Sequence, residues 1–388
     1  MAIRQPASAD WTDTKRYWWL LGALTITLPL LAALLALSTG WHIFWWFGPL
    51  FAFGVIPVLD LLIGVDSENP PESIVPRLES DRYYRHVVYL ATFVVYVAFA
   101  GAIWIVGTKP LAWYDYLGFA LSLGAATGIS INTAHELGHK TSPLERWLAK
   151  ITLAPVAYGH FFVEHNRGHH VRVATPNDPA SARYGESFWA FLPRTVTGSI
   201  ASAWRLERER LARGGRPVWS WRNEVLQAWA MTVALWSAAI AFGGAKVAPF
   251  LLIQAAYGAS LLEVVNYVEH YGLGRKQLPT GRYERCTPQH SWNSNHVVTN
   301  LFLYQLQRHA DHHANPTRSY QALRHFDDSP QLPAGYAAMI LLAYVPPLWF
   351  RVMNPRVVAH YGADMAQSNI KPSIRQKVLA NLAIANTP

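Results

Sequence analysis

Residues 17–59 read YWWLLGALTITLPLLAALLALSTGWHIFWWFGPLFAFGVIPVL and contain no Asp, Glu, Lys or Arg. A helix needs roughly 20 apolar residues to cross a hydrocarbon core of about 30 Å, so this stretch is long enough for two spans. Ser38-Thr39-Gly40 lies near its middle and predicts a hinge there. The stretch is too long for a signal peptide, and Asp10 and Asp13 precede it. The sequence therefore predicts a pair of transmembrane helices near the start.

Four further apolar runs follow, at residues 86–109, 111–134, 225–245 and about 247–266. Charged residues make up 15% of the chain, whereas soluble proteins carry about 25%. Lipid offers no partner for unpaired backbone groups, so runs of this length are expected to be helical. The apolar segment 335–350 is shorter and contains Pro346-Pro347. We interpret it as interfacial or packed on a polar module rather than as a seventh span.

Lys and Arg are distributed unevenly between these runs. The N-terminal tail, the second connection, residues 140–222 and everything after residue 270 hold 31 of the 33 basic residues. Basic residues concentrate in cytoplasmic loops, so both termini and both large polar segments are predicted to be cytoplasmic. The predicted order is a cytoplasmic tail (1–16), transmembrane helices 1–4 (17–134), a first cytoplasmic part (135–224), transmembrane helices 5 and 6 (225–269) and a second cytoplasmic part (270–388).

The net charge of +9 does not indicate a nucleic-acid partner. The basic residues flank apolar runs instead of forming a stripe interleaved with stacking aromatics. Cys286 is the only cysteine, which excludes a disulfide or a thiolate metal site within one chain. A reducing cell interior is consistent with this composition.

Histidines are the candidate functional residues. Nine of the 16 occur in clusters or at the end of an apolar run: His135, His139, His165, His169, His170, His270, His309, His312 and His313. Histidine is the commonest metal ligand, and residues four apart share one face of a helix. On that spacing His165 and His169 are expected to project together. By the predicted orientation all nine lie on the cytoplasmic side, and the expected fold is an all-α integral membrane protein with six transmembrane helices and a histidine-rich di-metal module.

The number of histidines distinguishes two kinds of metal site. His135-Glu136-Leu137-Gly138-His139 matches the zinc metalloprotease pattern, in which the glutamate is the general base. A catalytic zinc needs only three protein ligands, which would leave six clustered histidines unused. Nine imidazoles suit two metals with four or five ligands each, and imidazole alone does not select among zinc, copper, iron and nickel.

Five acidic residues are candidates for supporting the metal ligands. Those adjacent to the histidines either orient the imidazole rings or act as helix-terminus charges, and both readings stay open: Glu136, Glu164, Glu269 and Asp311. Glu263 lies inside the sixth apolar run, where an acid is a functional candidate, for proton delivery or as a histidine partner. Small residues of the fourth run, including Gly124 and Gly128, favour close helix packing over a channel.

Four motifs together resemble those of integral-membrane alkane 1-monooxygenases, which are alkane ω-hydroxylases of the histidine-rich non-haem di-iron membrane hydroxylase and desaturase superfamily. They are HELGH (135–139), EHNRGHH (164–170), NYVEHYG (266–272) and LQRHADHH (306–313). ATPNDP (174–179) and HSWNSNH (290–296) extend the similarity. The NRG insert and the 266–272 motif favour hydroxylases over desaturases, and no ligand position departs from the pattern.

This resemblance implies that the nine histidines bind two iron ions and that no other residue is catalytic. It implies O₂-dependent hydroxylation of the terminal methyl of medium- to long-chain n-alkanes to primary alcohols. The electron donor would be rubredoxin, itself reduced by rubredoxin reductase, and the location the bacterial inner membrane. A desaturase and an intramembrane zinc metalloprotease are the alternatives. The basic residues between 205 and 216 suit an acidic electron carrier or lipid head groups equally.

Overall fold

Six helices are long and apolar enough to cross a membrane. They belong to a computed structural model that describes residues 11–385, with side chains through residue 381. We call them spans 1 to 6, in the order Leu20–Thr39, His42–Ile63, Arg82–Thr108, Trp113–Gly138, Glu224–Gly243 and Val247–His270. The structure confirms the prediction of an all-α protein with six candidate spans, and within the described residues the chain forms no strand.

The predicted hinge separates spans 1 and 2. Span 1 ends at Thr39, and Gly40 follows with φ of 74° and donates its backbone N–H to Ala36 O at 2.9 Å. This left-handed conformation is accessible to glycine without steric cost. Span 2 is irregular, with a π-helical turn at Phe51–Val55. It extends beyond the charge-free stretch through Asp60, which is buried and accepts a hydrogen bond from the Thr299 backbone N–H at 3.0 Å.

Spans 4 and 6 pack closely along the centre of the bundle. A Cβ added to Gly124 would lie 2.7 Å from the Gln254 carbonyl oxygen, and one added to Gly128 would lie 3.1 Å from the Gly258 carbonyl oxygen. Glycine at these points lets the two backbones approach. The prediction that these residues serve packing is therefore confirmed. Both helices continue past their apolar runs and carry His135 and His270 in their last turns.

The remaining α-helices of residues 11–385 lie outside the six spans. They are Val75–Ser80, Pro143–Leu153, Phe161–Glu164, His170–Arg172, Phe188–Arg213, Val297–Phe302, His309–Ala314, Tyr336–Ala343, Pro346–Tyr361 and Arg375–Ala385. The apolar segment with Pro346 is bent, since Tyr336–Ala343 meets the helix that follows at 119°. Tyr336, Met339 and Trp349 are buried in one core cluster with residues of span 6, including Tyr267. This segment is therefore packed against span 6.

Candidate metal centre

The nine clustered histidines come together in two groups. Within each group the candidate ligand atoms all lie within 4.8 Å of one another, and no other histidine of the described residues joins them. The first group contains His135, His139, His165, His170 and His312, and the second contains His169, His270, His309 and His313. The groups adjoin, since the rings of His170 and His313 are 4.5 Å apart. Residues up to 178 positions apart in sequence thus share one buried site.

The first group is built where span 4 ends. His135 lies in the last turn of span 4 and His139 caps it. The Nε2 atoms of His135 and His312 are 2.9 Å apart, and those of His312 and His170 are 3.0 Å apart. The helix His309–Ala314 therefore brings its His312 ring to the end of span 4.

A π-helical turn decides how the central histidine stretch is divided. Residues His165–His169 form this turn, which needs five residues rather than four to return to the same face. His165 and His170 consequently meet, with their Nε2 atoms 3.0 Å apart, whereas His169 belongs to the second group. The α-helical spacing had paired His165 with His169, and the structure differs because of the wider turn.

The second group is built where span 6 ends. His270 is the last residue of that span, and its Nε2 lies 3.3 Å from Nε2 of His309. His309 and His313 are separated by one α-helical turn, and their Nε2 atoms are 2.8 Å apart. Nε2 of His169 is 3.3 Å from that of His313. Four rings from three separate segments therefore face one point.

The chemistry of the donor set fits metal ions. Burial lowers the pKa of six histidines outside the spans well below the usual imidazole value: His139, His165, His170, His309, His312 and His313. Neutral imidazole carries the lone pair that a metal requires. Among the described residues, His139 Nε2 is buried and has no hydrogen-bond partner. An unpaired buried nitrogen is costly, and a metal at the centre of the first group would satisfy it.

Two carboxylates contact the second group. Glu269 Oε2 lies 3.1 Å from His309 Nε2, and Glu269 Oε1 accepts a hydrogen bond from Tyr336 OH at 2.9 Å. Asp178 Oδ2 lies 2.9 Å from His169 Nδ1 and also accepts from Ser181 Oγ at 2.6 Å. Burial tends to raise the pKa of Asp178, but His169 and these hydrogen bonds outweigh it, and the pKa lies below its usual value.

Asp178 was not among the candidates that the sequence indicated. It lies nine residues after His169 in the loop ATPNDP, so helical spacing gives no signal for it. The only sequence signal was the inclusion of that loop among the motifs that carry the family resemblance. A carboxylate on the distal nitrogen fixes the orientation and tautomer of a ligating ring, which is what Asp178 does to His169.

Three of the acidic residues that were candidates for supporting the metal ligands form ion pairs with basic side chains. Glu136 contacts Lys140 at 2.7 Å, Asp311 contacts Arg318 at 2.8 Å and Glu164 contacts Arg172 at 2.6 Å. Glu164 also lines a small cavity together with His165 and His169. Burial raises its pKa to about 7. Glu136 thus forms an ion pair with Lys140, and its carboxylate is not among the clustered candidate ligands.

Glu263 occupies a buried polar pocket beside the second group. Its carboxylate accepts hydrogen bonds from Tyr158 OH at 2.6 Å, from Thr195 Oγ1 at 2.8 Å and from Asn266 Nδ2 at 3.2 Å. His169 lines the same small cavity. Glu263 is therefore not a hydrogen-bond partner of a clustered histidine in the described structure.

An apolar cavity of about 100 Å³ lies between spans 2, 4 and 6. Its walls include Ala125 and Ile129 of span 4, Leu262 and Val265 of span 6, and Tyr336. The Tyr336 hydroxyl is bonded to Glu269, which contacts His309. Tyr336 and Glu269 together thus connect the apolar cavity with the histidine site.

The sequence is similar to one protein-family model and to several curated monooxygenases. A model of the fatty acid desaturase family matches residues 111–343. The chain is 48% identical over 374 residues to an alkane 1-monooxygenase of Ectopseudomonas oleovorans, covering 96% of this chain and 93% of that protein. It is also 48% identical to alkane 1-monooxygenase 1 of Alcanivorax borkumensis, and the match covers 96% of this chain and 94% of that protein. It is 26% identical over 265 residues to the xylene/toluene monooxygenase hydroxylase component of Pseudomonas putida, covering 68% and 69%.

Proposed function

The chain belongs to the alkane 1-monooxygenase family, and we propose that it hydroxylates the terminal methyl group of medium- to long-chain n-alkanes at a pair of iron ions. One oxygen atom of O₂ enters the C–H bond, and the other leaves as water after two electrons and two protons are supplied. The product is a primary alcohol. The observation that carries this proposal is the convergence of nine imidazoles beside an apolar cavity within the bundle.

The two histidine groups are proposed as the two iron sites, with five and four ligands. Imidazole binds several metals, but zinc has no redox chemistry and the proposed reaction requires electron transfer. When bound, the irons supply the activation of O₂. The choice of iron therefore follows from the reaction, and the choice of ligands follows from the geometry.

The protein's own residues position the substrate and the ligands. The cavity walls exclude water and favour an apolar chain over a polar one. Asp178 holds the ring of His169, and the Tyr336 hydroxyl holds Glu269 against His309. Ala125, Val265 and Tyr336 all line the cavity, so an alkyl chain bound there would contact them.

Rubredoxin is the proposed electron donor, with rubredoxin reductase upstream. The helix Phe188–Arg213 carries Arg205, Arg208 and Arg213 on its exposed side, and Arg216 follows it. An acidic carrier would be attracted to such a surface by long-range electrostatics. This basic surface therefore supports a separate acidic protein as the electron source.

The proposed location is the inner membrane of a bacterium, with both termini and the histidine site on the cytoplasmic side. Six candidate spans make the chain a multi-pass membrane protein. The uneven distribution of Lys and Arg supports the orientation. Spans 4 and 6 both end at the histidine site, so the site lies at one surface of the bundle.

Metal analysis and product identification on one purified preparation test the proposal. We expect close to two irons per chain, and incorporation of one ¹⁸O atom from ¹⁸O₂ into 1-octanol or 1-hexadecanol when the alkane and reduced rubredoxin are supplied. A carbon–carbon double bond in the product would identify a desaturase. A single zinc whose chelation abolishes proteolysis would identify a protease.

The variant His312→Ala tests the ligand assignment. Removal of one ring that contacts both His135 and His170 is expected to lower the iron content of the first group and abolish turnover. His86→Ala is the matched control, because His86 is exposed and belongs to neither group. Full activity of His312→Ala would exclude its proposed role.

A further inference from the structure

A cleft of about 460 Å³ opens where span 5 begins. Its walls come from the helix Pro143–Leu153, from the end of the helix Phe188–Arg213 and from the residues that lead into span 5. Five of the lining side chains are cationic: Arg146, Lys150, Arg167, Arg210 and Arg222. Arg167 lies between His165 and His169 in the sequence, so the cleft is adjacent to the segment that carries these two candidate ligands.

Carboxylates neutralise only part of this charge. Glu224 lines the cleft and pairs with Arg146 at 2.9 Å and with Arg167. Glu207 is fully buried behind it, at 2.6 Å from both Arg167 and Arg210. Five cations against two carboxylates leave a net formal charge of +3, because Glu224 and Glu207 are each shared by more than one cation. The cleft is therefore suited to an anion.

The least neutralised cations are Lys150 and Arg222. Lys150 Nζ is 3.9 Å from the nearest oxygen of Glu224 and lies 3.6 Å from the centre of the Trp147 ring. Within residues 11–385, no carboxylate pairs with the Arg222 guanidinium, which lies over the ring of Trp221 at 5.3 Å. Lys150 is buried and its Nζ also donates to Gln227 Oε1 at 2.6 Å. The exposed Arg222 guanidinium therefore offers the donors most accessible to a phosphate.

Tryptophans place the cleft at the depth of lipid head groups. Trp219 and Trp221 are each 76% exposed and immediately precede Glu224, the first residue of span 5. Trp147, on the opposite wall, is 42% exposed. Exposed tryptophans concentrate at the membrane–water interface. The cleft thus opens where hydrocarbon gives way to water.

We propose that this cleft binds the phosphate head group of an anionic phospholipid. Basic pockets beside transmembrane helices are suited to such head groups, and the acyl chains have an adjacent surface to follow. Only 22% of an apolar 18-residue segment of span 5 is buried within the protein, so the outer face of this helix is open to lipid. A soluble phosphate would use the same cations but not this apolar face.

Lipid binding can be measured without turnover, so the result does not depend on the proposed reaction. Protein delipidated in a non-ionic detergent is titrated with phosphatidylglycerol, phosphatidylcholine or inorganic phosphate. Bound molecules are counted by native mass spectrometry, and the melting temperature is followed in parallel, because a ligand of the folded state raises it. We expect phosphatidylglycerol to bind more tightly than the other two, and less tightly in 0.5 M salt.

Two substitutions separate the cleft from general surface charge. Arg222→Gln is expected to weaken phosphatidylglycerol binding about fivefold, the effect of one cation near an anionic lipid. Arg282→Gln removes the same charge from an exposed side chain that lies outside both the cleft and the proposed rubredoxin surface, and its affinity for phosphatidylglycerol should equal that of the unchanged protein. Both positions are exposed, so neither change is expected to impair folding.

Four results would overturn the proposal. Equal binding of phosphatidylcholine would show that charge is not recognised, and full competition by inorganic phosphate would assign the cleft to a soluble anion. Equal weakening by Arg282→Gln would mean that the cleft is not the site. If Arg222→Gln weakened binding of rubredoxin but not of phosphatidylglycerol, the cleft would be a protein-docking surface.

Discussion

Asp178→Asn tests how the second histidine group is held. Asp178 is 2% exposed and lies 2.9 Å from His169 Nδ1. Asparagine keeps the shape and an acceptor oxygen but removes the charge. A hydrogen bond to a charged group contributes about 1.5–3 kcal/mol and a neutral one about 0.5–1.5 kcal/mol. The difference of about 1–1.5 kcal/mol corresponds to roughly five- to tenfold weaker metal affinity.

The assay is removal of metal by a graded chelator, with the metal per chain measured at each step. We expect Asp178→Asn to lose half of its metal at a chelator concentration roughly five- to tenfold lower than the unchanged protein requires. Only half is affected because only the second group contains His169. Asp327→Asn is the control, since Asp327 is fully exposed and contacts His325, which is in neither group. Simultaneous loss of all the metal, or the release profile of the unchanged protein, would refute this reasoning.

Three further substitutions test the packing of spans 4 and 6, the cavity as the alkane site and the docking of rubredoxin. Gly124→Leu should destabilise the protein by about 1–3 kcal/mol, seen as a lower melting temperature, because its Cβ would meet the Gln254 carbonyl. Gly54→Leu is the control, because a Cβ added to Gly54 would have no atom of another segment within 4 Å. This change should leave the melting temperature nearly unchanged. Ala125→Phe fills part of the apolar cavity and should shift turnover toward shorter alkanes in a competition assay; an unchanged product distribution would exclude the cavity as the alkane site. Arg208→Glu should raise KM for rubredoxin severalfold at low salt without changing kcat, and the difference should fall in 0.5 M salt; a fall in kcat alone would contradict docking.

Some features of the fold follow from local sequence and were predicted correctly. The charge-free stretch 17–59 required two spans, and Ser38-Thr39-Gly40 marked the hinge because glycine alone reaches φ of 74° readily. Gly124 and Gly128 of span 4 were correctly assigned to packing because backbones can approach only where side chains are absent, although the neighbouring Ala125 lines the apolar cavity. Each of these inferences uses the properties of neighbouring residues.

The sequence also determined which nine histidines to consider, since their clustering and spacing are local patterns. Only the tertiary structure decided how they divide between two groups. A π-helical turn pairs His165 with His170 and leaves His169 to the second group, and this cannot be read from a spacing that assumes an α-helix. Asp178 contacts His169, while Glu136 turns to Lys140. Such choices depend on burial and on the packing of distant segments at the ends of spans 4 and 6, which no single stretch of sequence contains.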